Sequence, residues 1–115
     1  MSIEQLAETA QAMVAKGKGI IAIDESTGTI GKRFEAVGIA NSEDNRRAYR
    51  EMLLTTPKLG EHISGAILFD ETLRQSTRDG VPFARVMRNA GIIPGIKVDK
   101  GTHALAGFPG ELVTE

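Results

Sequence analysis

The sequence predicts an α/β chain built around a parallel sheet. Three short apolar runs, at residues 20–23, 66–69 and 95–98, are too short for helices and rich in β-branched or aromatic side chains. The stretches between them carry apolar residues at helical spacing, and each run ends in charged residues at its carboxyl end: Asp24-Glu25, Asp70-Glu71, and Lys97 with Asp99 and Lys100. Strands separated by helices imply right-handed crossovers and parallel pairing.

The elements follow in order. Ser2 with Gln5 three residues later has the form of a capping box, and Ile3, Leu6, Ala10, Met13 and Val14 trace an amphipathic helix that stops near Gly17. Gly19 opens the first run, Ile20-Ile21-Ala22-Ile23, which is apolar on both faces of a pleat and so suits a strand buried on both sides. Polar and small residues from Asp24 to Thr29 then cap a second helix with Ile30, Phe34 and Val37, ending at Gly38. A third helix starts at Asn41 or Ser42, carries Tyr49, Met52 and Leu53, and is stopped by Thr55-Thr56-Pro57.

The second run, Ala66-Ile67-Leu68-Phe69, leads through a polar stretch to Gly80. Pro82 suits the first turn of a helix that carries Phe83, Val86, Met87 and Ala90 and stops at Gly91. Pro94 then precedes the third run, Gly95-Ile96-Lys97-Val98. Beyond Lys100 the glycines and Pro109 point to no closing element. Three parallel strands with helices on one side leave two unpaired edges and one bare face, which parallel sheets rarely tolerate. No repeat or linker divides the chain.

Composition narrows the function. Fourteen basic residues against fifteen acidic give a net charge of -1, and the aromatics are one tyrosine and four phenylalanines. A nucleic-acid partner is therefore not expected. Without cysteine there is no disulfide framework, thiolate nucleophile or cysteine zinc site. No apolar stretch reaches the ~18 residues of a membrane span. The first residues, Met1-Ser2-Ile3-Glu4-Gln5, lack the features of a signal or transit peptide, so the expected address is the cytoplasm.

The carboxyl ends of the strands are where sites assemble in open α/β sheets and in barrels alike. After Asp24, the residues Ser26, Gly28, Thr29, Gly31, Lys32 and Arg33 combine hydroxyls, helix N-terminal amides and two cations, the groups a phosphate needs. An ordinary capped turn has the same pattern. It is not a Walker loop, since Arg33 follows Gly31-Lys32 where Ser or Thr would hold magnesium, and Gly17-x-Gly19 precedes its strand, unlike a dinucleotide fingerprint. Lys97 points to the opposite side of its strand from Ile96 and Val98, toward solvent or toward an anion in a barrel interior. Asp70-Glu71 read as helix caps. His62 and His103 have no partner at ligand spacing, and Arg46, Arg47 and Arg50, beside Glu43, Asp44 and Glu51, read as a solvated helix face with local ion pairs.

Four segments together carry a resemblance: Gly17-Lys18-Gly19-Ile20-Ile21-Ala22-Ile23-Asp24-Glu25-Ser26-Thr27-Gly28, Glu43-Asp44-Asn45-Arg46-Arg47, Ile67-Leu68-Phe69-Asp70-Glu71-Thr72-Leu73, and Gly95-Ile96-Lys97-Val98-Asp99-Lys100-Gly101. In this order and spacing the chain resembles the amino-terminal part of the Schiff-base (class I) fructose-bisphosphate aldolases. The resemblance implies that residues 1–115 are the amino-terminal part of a single domain, the first three strand-helix units of a (β/α)8 TIM barrel. A whole barrel needs about 250 residues, so it is incomplete in this chain.

It also implies reversible aldol cleavage of fructose 1,6-bisphosphate to dihydroxyacetone phosphate and glyceraldehyde 3-phosphate through a lysine Schiff base, without metal or other cofactor. Asp24 matches the acid that orients substrate hydroxyls and supports proton transfer. Ser26, Thr29, Arg33 and Lys97 match positions that bind the sugar phosphate, Thr29 standing where the family often has serine. Asp70 stands where some relatives carry histidine. No lysine here matches the Schiff-base motif, so these residues alone are expected to be inactive. The expected partners are a small sugar phosphate and copies of the same chain, a homotetramer by resemblance. The alternative is a non-catalytic β/α fragment that binds sugar phosphate or oligomerises.

Overall fold

A computed structural model describes all 115 residues. Ser2 starts the first helix, α1 (Ile3–Met13), through the expected capping box: its Oγ accepts from the Gln5 amide while the Gln5 side chain accepts from the Ser2 amide. The helix ends at Met13, a turn before Gly17. Next come β1 (Gly19–Ile23), α2 (Thr27–Glu35), α3 (Glu43–Leu54), a single turn α4 (Leu59–His62) and β2 (Ile63–Leu68). The chain continues through α5 (Asp70–Leu73), α6 (Phe83–Asn89) and β3 (Ile93–Ile96), then β4 (Thr102–Leu105) and β5 (Phe108–Thr114).

The main sheet is parallel, in the order β1-β2-β3. Its register aligns Ile23 with Leu68 and Leu68 with Ile96. Ile23, Ala66 and Leu68 bury one face of the sheet in a core with Leu54 of α3, Phe83 and Met87 of α6, and Ile92. Each large apolar side chain fully buried there contributes about 1.5–3 kcal/mol. Ile30 and Phe34 of α2 are also buried, and Phe34 meets Tyr49 of α3 edge to face at 5.7 Å.

The opposite face of β1 is open. Within these 115 residues Ile20 is 45% exposed, and the face of β1 opposite the core carries no covering element. The amino end of the sheet is tied to α1, where the Ser64 hydroxyl donates to the Met13 carbonyl at 2.6 Å.

Other boundaries depart from the sequence pattern. The second strand begins at Ile63 and stops at Leu68, which leaves Phe69 as the residue before α5. The third runs through Pro94 rather than starting after it. As an edge strand it tolerates a residue without an N–H. The turn α4 follows Lys58, the single non-glycine residue at positive φ (62°). The segment after Lys100, expected to hold no element, forms the antiparallel hairpin β4-β5. Gly107 turns it with a φ of 79°, beside a register bulge at Ala104/Leu105.

Candidate functional site

Register explains how the site is put together. Ile23, Leu68 and Ile96 stand side by side across the sheet, so the residues that follow them, Asp24, Phe69 and Lys97, form the next layer at the carboxyl edge. The β3 ladder reaches that layer, since the Lys97 amide donates to the Leu68 carbonyl at 2.9 Å. Alternation turns this layer away from the side that buries Ile23 and Leu68, onto the open face. All three residues line an open pocket of about 630 Å³, together with Glu25, Ser26, Thr29, Asp99 and Lys100.

Lys97 is the central cation of the pocket. Its ammonium hydrogen-bonds the Asp99 carboxylate and lies 3.9 Å from that of Asp24, with 28% of the side chain exposed. The hydrogen bond to Asp99 raises the Lys97 pKa above the ordinary lysine value, against a smaller opposing effect of desolvation. The same bond holds the Asp99 carboxyl below the usual carboxylate range. An ammonium placed this way is fully charged near neutrality.

Ser26 serves two purposes at once. It is the N-cap of α2, its Oγ accepting from the Thr29 amide at 3.4 Å, and it stands 3.1 Å from the Thr29 hydroxyl. The capped turn and the polar pocket wall are therefore the same residues. Arg33 lies one turn farther along α2, is 61% exposed, and pairs with Glu25. It does not line the pocket that holds the other four predicted site residues. Asp70 forms an exposed ion pair with Arg74 on α5, and that hydrogen bond lowers its pKa. No three His, Asp or Glu side chains converge closely enough to hold a metal ion.

The arginines of α3 correct the expectation of a solvated face. Arg47 pairs with Asp44 and Glu51 of its own helix, but it is only partly exposed and its NH1 also donates to the Ser76 carbonyl at 3.5 Å. Arg46 instead donates from Nε to both oxygens of Glu71, at 3.0 and 3.2 Å, and from its NH1 to the Asn41 side chain at 2.8 Å. Arg50 is buried and reaches the end of β1. Helical spacing held the signal: residues 46, 50 and 54 lie on one stripe, and Leu54 belongs to the core. All three arginines thus reach from α3 to β1 or to the segments that follow β1 and β2.

The family model described as fructose-bisphosphate aldolase class-I matches residues 5–115. The chain belongs to that family. A probable fructose-bisphosphate aldolase class 1 of Xanthomonas campestris pv. campestris is 79% identical over 115 residues, covering 100% of this chain and 34% of the relative. The chloroplastic fructose-bisphosphate aldolase 3 of Arabidopsis thaliana is 58% identical over 104 residues, 90% of this chain and 27% of that one. Among solved structures, the Plasmodium falciparum aldolase in complex with TRAP and a small-molecule inhibitor superposes with a TM-score of 0.92 at 51% identity, over 97% of this chain and 32% of that chain.

The chain thus spans about a third of the length of the curated aldolases it matches. Its parallel sheet with intervening helices is the expected α/β architecture of an aldolase barrel, incomplete in this chain. No helix is long and apolar enough to cross a membrane.

Proposed function

We propose that residues 1–115 form the amino-terminal part of a single barrel domain that reversibly cleaves fructose 1,6-bisphosphate through a lysine Schiff base. The amine of a lysine outside these residues adds to the C2 ketone, and water leaves to form the iminium. The C3–C4 bond then breaks, its electron pair passing into the iminium as an enamine while the C4 hydroxyl loses its proton. Glyceraldehyde 3-phosphate departs, and hydrolysis of the imine after reprotonation at C3 frees dihydroxyacetone phosphate. The electron sink is organic, so the route requires no metal.

Within this scheme Asp24 orients substrate hydroxyls and helps move protons, while Lys97, Ser26 and Thr29 receive phosphate. Arg33 joins them by exchanging Glu25 for a phosphate oxygen. The observation that carries the proposal is the meeting of Asp24 and Lys97 across the end of β2, with two hydroxyls lining the same pocket. An acid and a fixed cation at one edge suit a substrate that presents both hydroxyls and phosphate. Alone, residues 1–115 have no lysine matching the imine-forming motif and are proposed to be inactive. The complete protein is proposed to be a homotetramer, a state that sedimentation would reveal.

The test is a chimera in which these residues replace the matching segment of the Xanthomonas campestris relative. Cleavage of fructose 1,6-bisphosphate in the presence of chelator, with a borohydride-trapped dihydroxyacetone phosphate adduct, is the expected result. Loss of activity to chelator, with recovery on adding zinc, would overturn it.

A further inference from the structure

Arg50 is the one charged residue buried in this chain, 1% exposed, and it stands on α3 rather than on a strand. Its Nε donates to the Ile23 carbonyl at 2.9 Å, and its NH2 donates to the Glu25 carbonyl at 3.0 Å. These two carbonyls flank Asp24. The same NH2 lies 3.1 Å from one Glu25 carboxylate oxygen, while the other oxygen pairs with Arg33. Its NH1 is buried without a hydrogen-bond partner.

Burial of a guanidinium is costly, and one ion pair with an apolar alternative available is weak grounds for keeping it. Here the donors go to a particular place. The β1 ladder with β2 ends at Ile23, so the backbone around Asp24 must draw its hydrogen bonds from elsewhere. The planar fork of Arg50 supplies two of them from a helix in the core, at fixed mutual geometry.

We infer that Arg50 is a positioning residue: by gripping the carbonyls on both sides of Asp24 it sets where that carboxylate stands relative to Lys97, without touching the carboxylate itself. The inference rests on the role proposed for Asp24. A displacement of about 1 Å at a reacting group lowers turnover on the order of a hundredfold. A lysine in place of Arg50 lacks the planar fork, and a methionine donates nothing.

The test uses the same full-length chimera, with Arg50→Met, Arg50→Lys and Asp24→Asn made singly and each Arg50 change combined with Asp24→Asn. Arg50→Met is expected to lower kcat on the order of a hundredfold, with KM nearly unchanged and Arg50→Lys intermediate. In the Asp24→Asn background the same changes are expected to cost little further, because their effect passes through Asp24. If Arg50→Met does not fold, Arg50→Lys and Arg50→Gln carry the comparison. Losses that multiply in the double variants, or variants that lower only Tm while kcat holds, would overturn the inference alone. A parent chimera that folds but cleaves nothing would overturn the aldol reading, and this inference with it.

Discussion

Lys97 and Asp24 lie 3.9 Å apart although their strands are not neighbours. Adjacent parallel strands are spaced about 4.8 Å, so β1 and β3 stand roughly 10 Å apart on either side of β2. The two side chains close that gap across the end of β2, where Phe69 also lines the pocket. Lys97 is held from its own loop by Asp99 and faces Asp24 across the sheet. The cation therefore does not depend on Asp24 alone, and the two residues can be varied separately.

Replacing Asp24 by Asn in the full-length chimera is expected to lower kcat about 10²- to 10⁴-fold, the usual contribution of a positioned acid or base. KM is expected to change much less, because Lys97 keeps its partner Asp99 and so its place in the proposed phosphate site. Steady-state kinetics separate the two constants. A rise in KM with kcat intact would make Asp24 a binding residue.

Lys97 and Asp99 are expected to act with opposite signs on phosphate affinity. Lys97→Met removes a charge-assisted contact of about 1.5–3 kcal/mol, a loss of about 10- to 100-fold in affinity. Asp99→Asn removes the carboxylate with which phosphate competes for Lys97, and affinity is expected to rise a few-fold. Calorimetric titration with the sugar bisphosphate measures both. If Lys97→Met binds as the parent does, Lys97 is an ordinary surface lysine.

The pH dependence follows from the same pair. The Lys97 pKa is raised above its ordinary value of 10.5, so the stability it contributes is complete below that value and is lost only as pH rises through the higher folded pKa. The Asp99 pKa is lowered beneath 3.8, so its contribution is complete above that value and is lost as pH falls through the lower folded pKa. Both groups stay charged across the whole span between. Affinity for a sugar phosphate is therefore expected to rise once, near pH ~6, as the ligand takes its second charge. It should then hold to alkaline pH. A fall centred between about pH 7 and 9 would mean that Lys97 loses its proton there, contrary to the geometry.

Much of this site was legible in the sequence, because alternation and capping are local rules. A helix cap among residues 24–29 and the alternation of Lys97 with Ile96 and Val98 follow from spacing alone, whereas Asp70 and Glu71, read as caps, pair with Arg74 and Arg46 instead. Arg50 was not legible, since a charge on a helix reads as solvated unless its partners are known, and they are backbone carbonyls 25 and 27 residues earlier. The hairpin was hidden for a different reason. Pro109 and Gly110 read as breakers, yet in a two-stranded ribbon both residues sit where a central strand would reject them.

Gly60 offers a test of packing away from the pocket. A Cβ built on it would overlap the Ala90 carbonyl oxygen, and the Gly60 carbonyl accepts from Lys18 at 2.7 Å, so α4 is held from two directions. Gly60→Ala is expected to destabilise the protein by about 1–3 kcal/mol through overpacking. Scanning calorimetry of the chimera should show a Tm lower by several degrees with kcat preserved. An unchanged Tm would mean that the end of α6 yields without cost.

Residues 1–115 produced alone are expected to associate rather than fold as an independent monomer. Their radius of gyration is 16.5 Å, where a compact chain of this length has about 13 Å, and only 13 of the 115 residues are buried. The edges of β1 and β3 are unpaired in the sheet, and the hairpin leaves Phe108 and Leu112 63% and 65% exposed. Unpaired edges beside bare apolar side chains are templates for pairing with another copy. Sedimentation should therefore show concentration-dependent association, heating should show no single sharp transition, and borohydride with dihydroxyacetone phosphate should trap no specific adduct. A monomer with one cooperative transition would mean that three strands and their helices suffice as a folding unit. One stoichiometric adduct on a single lysine would mean that the imine-forming residue lies within these 115.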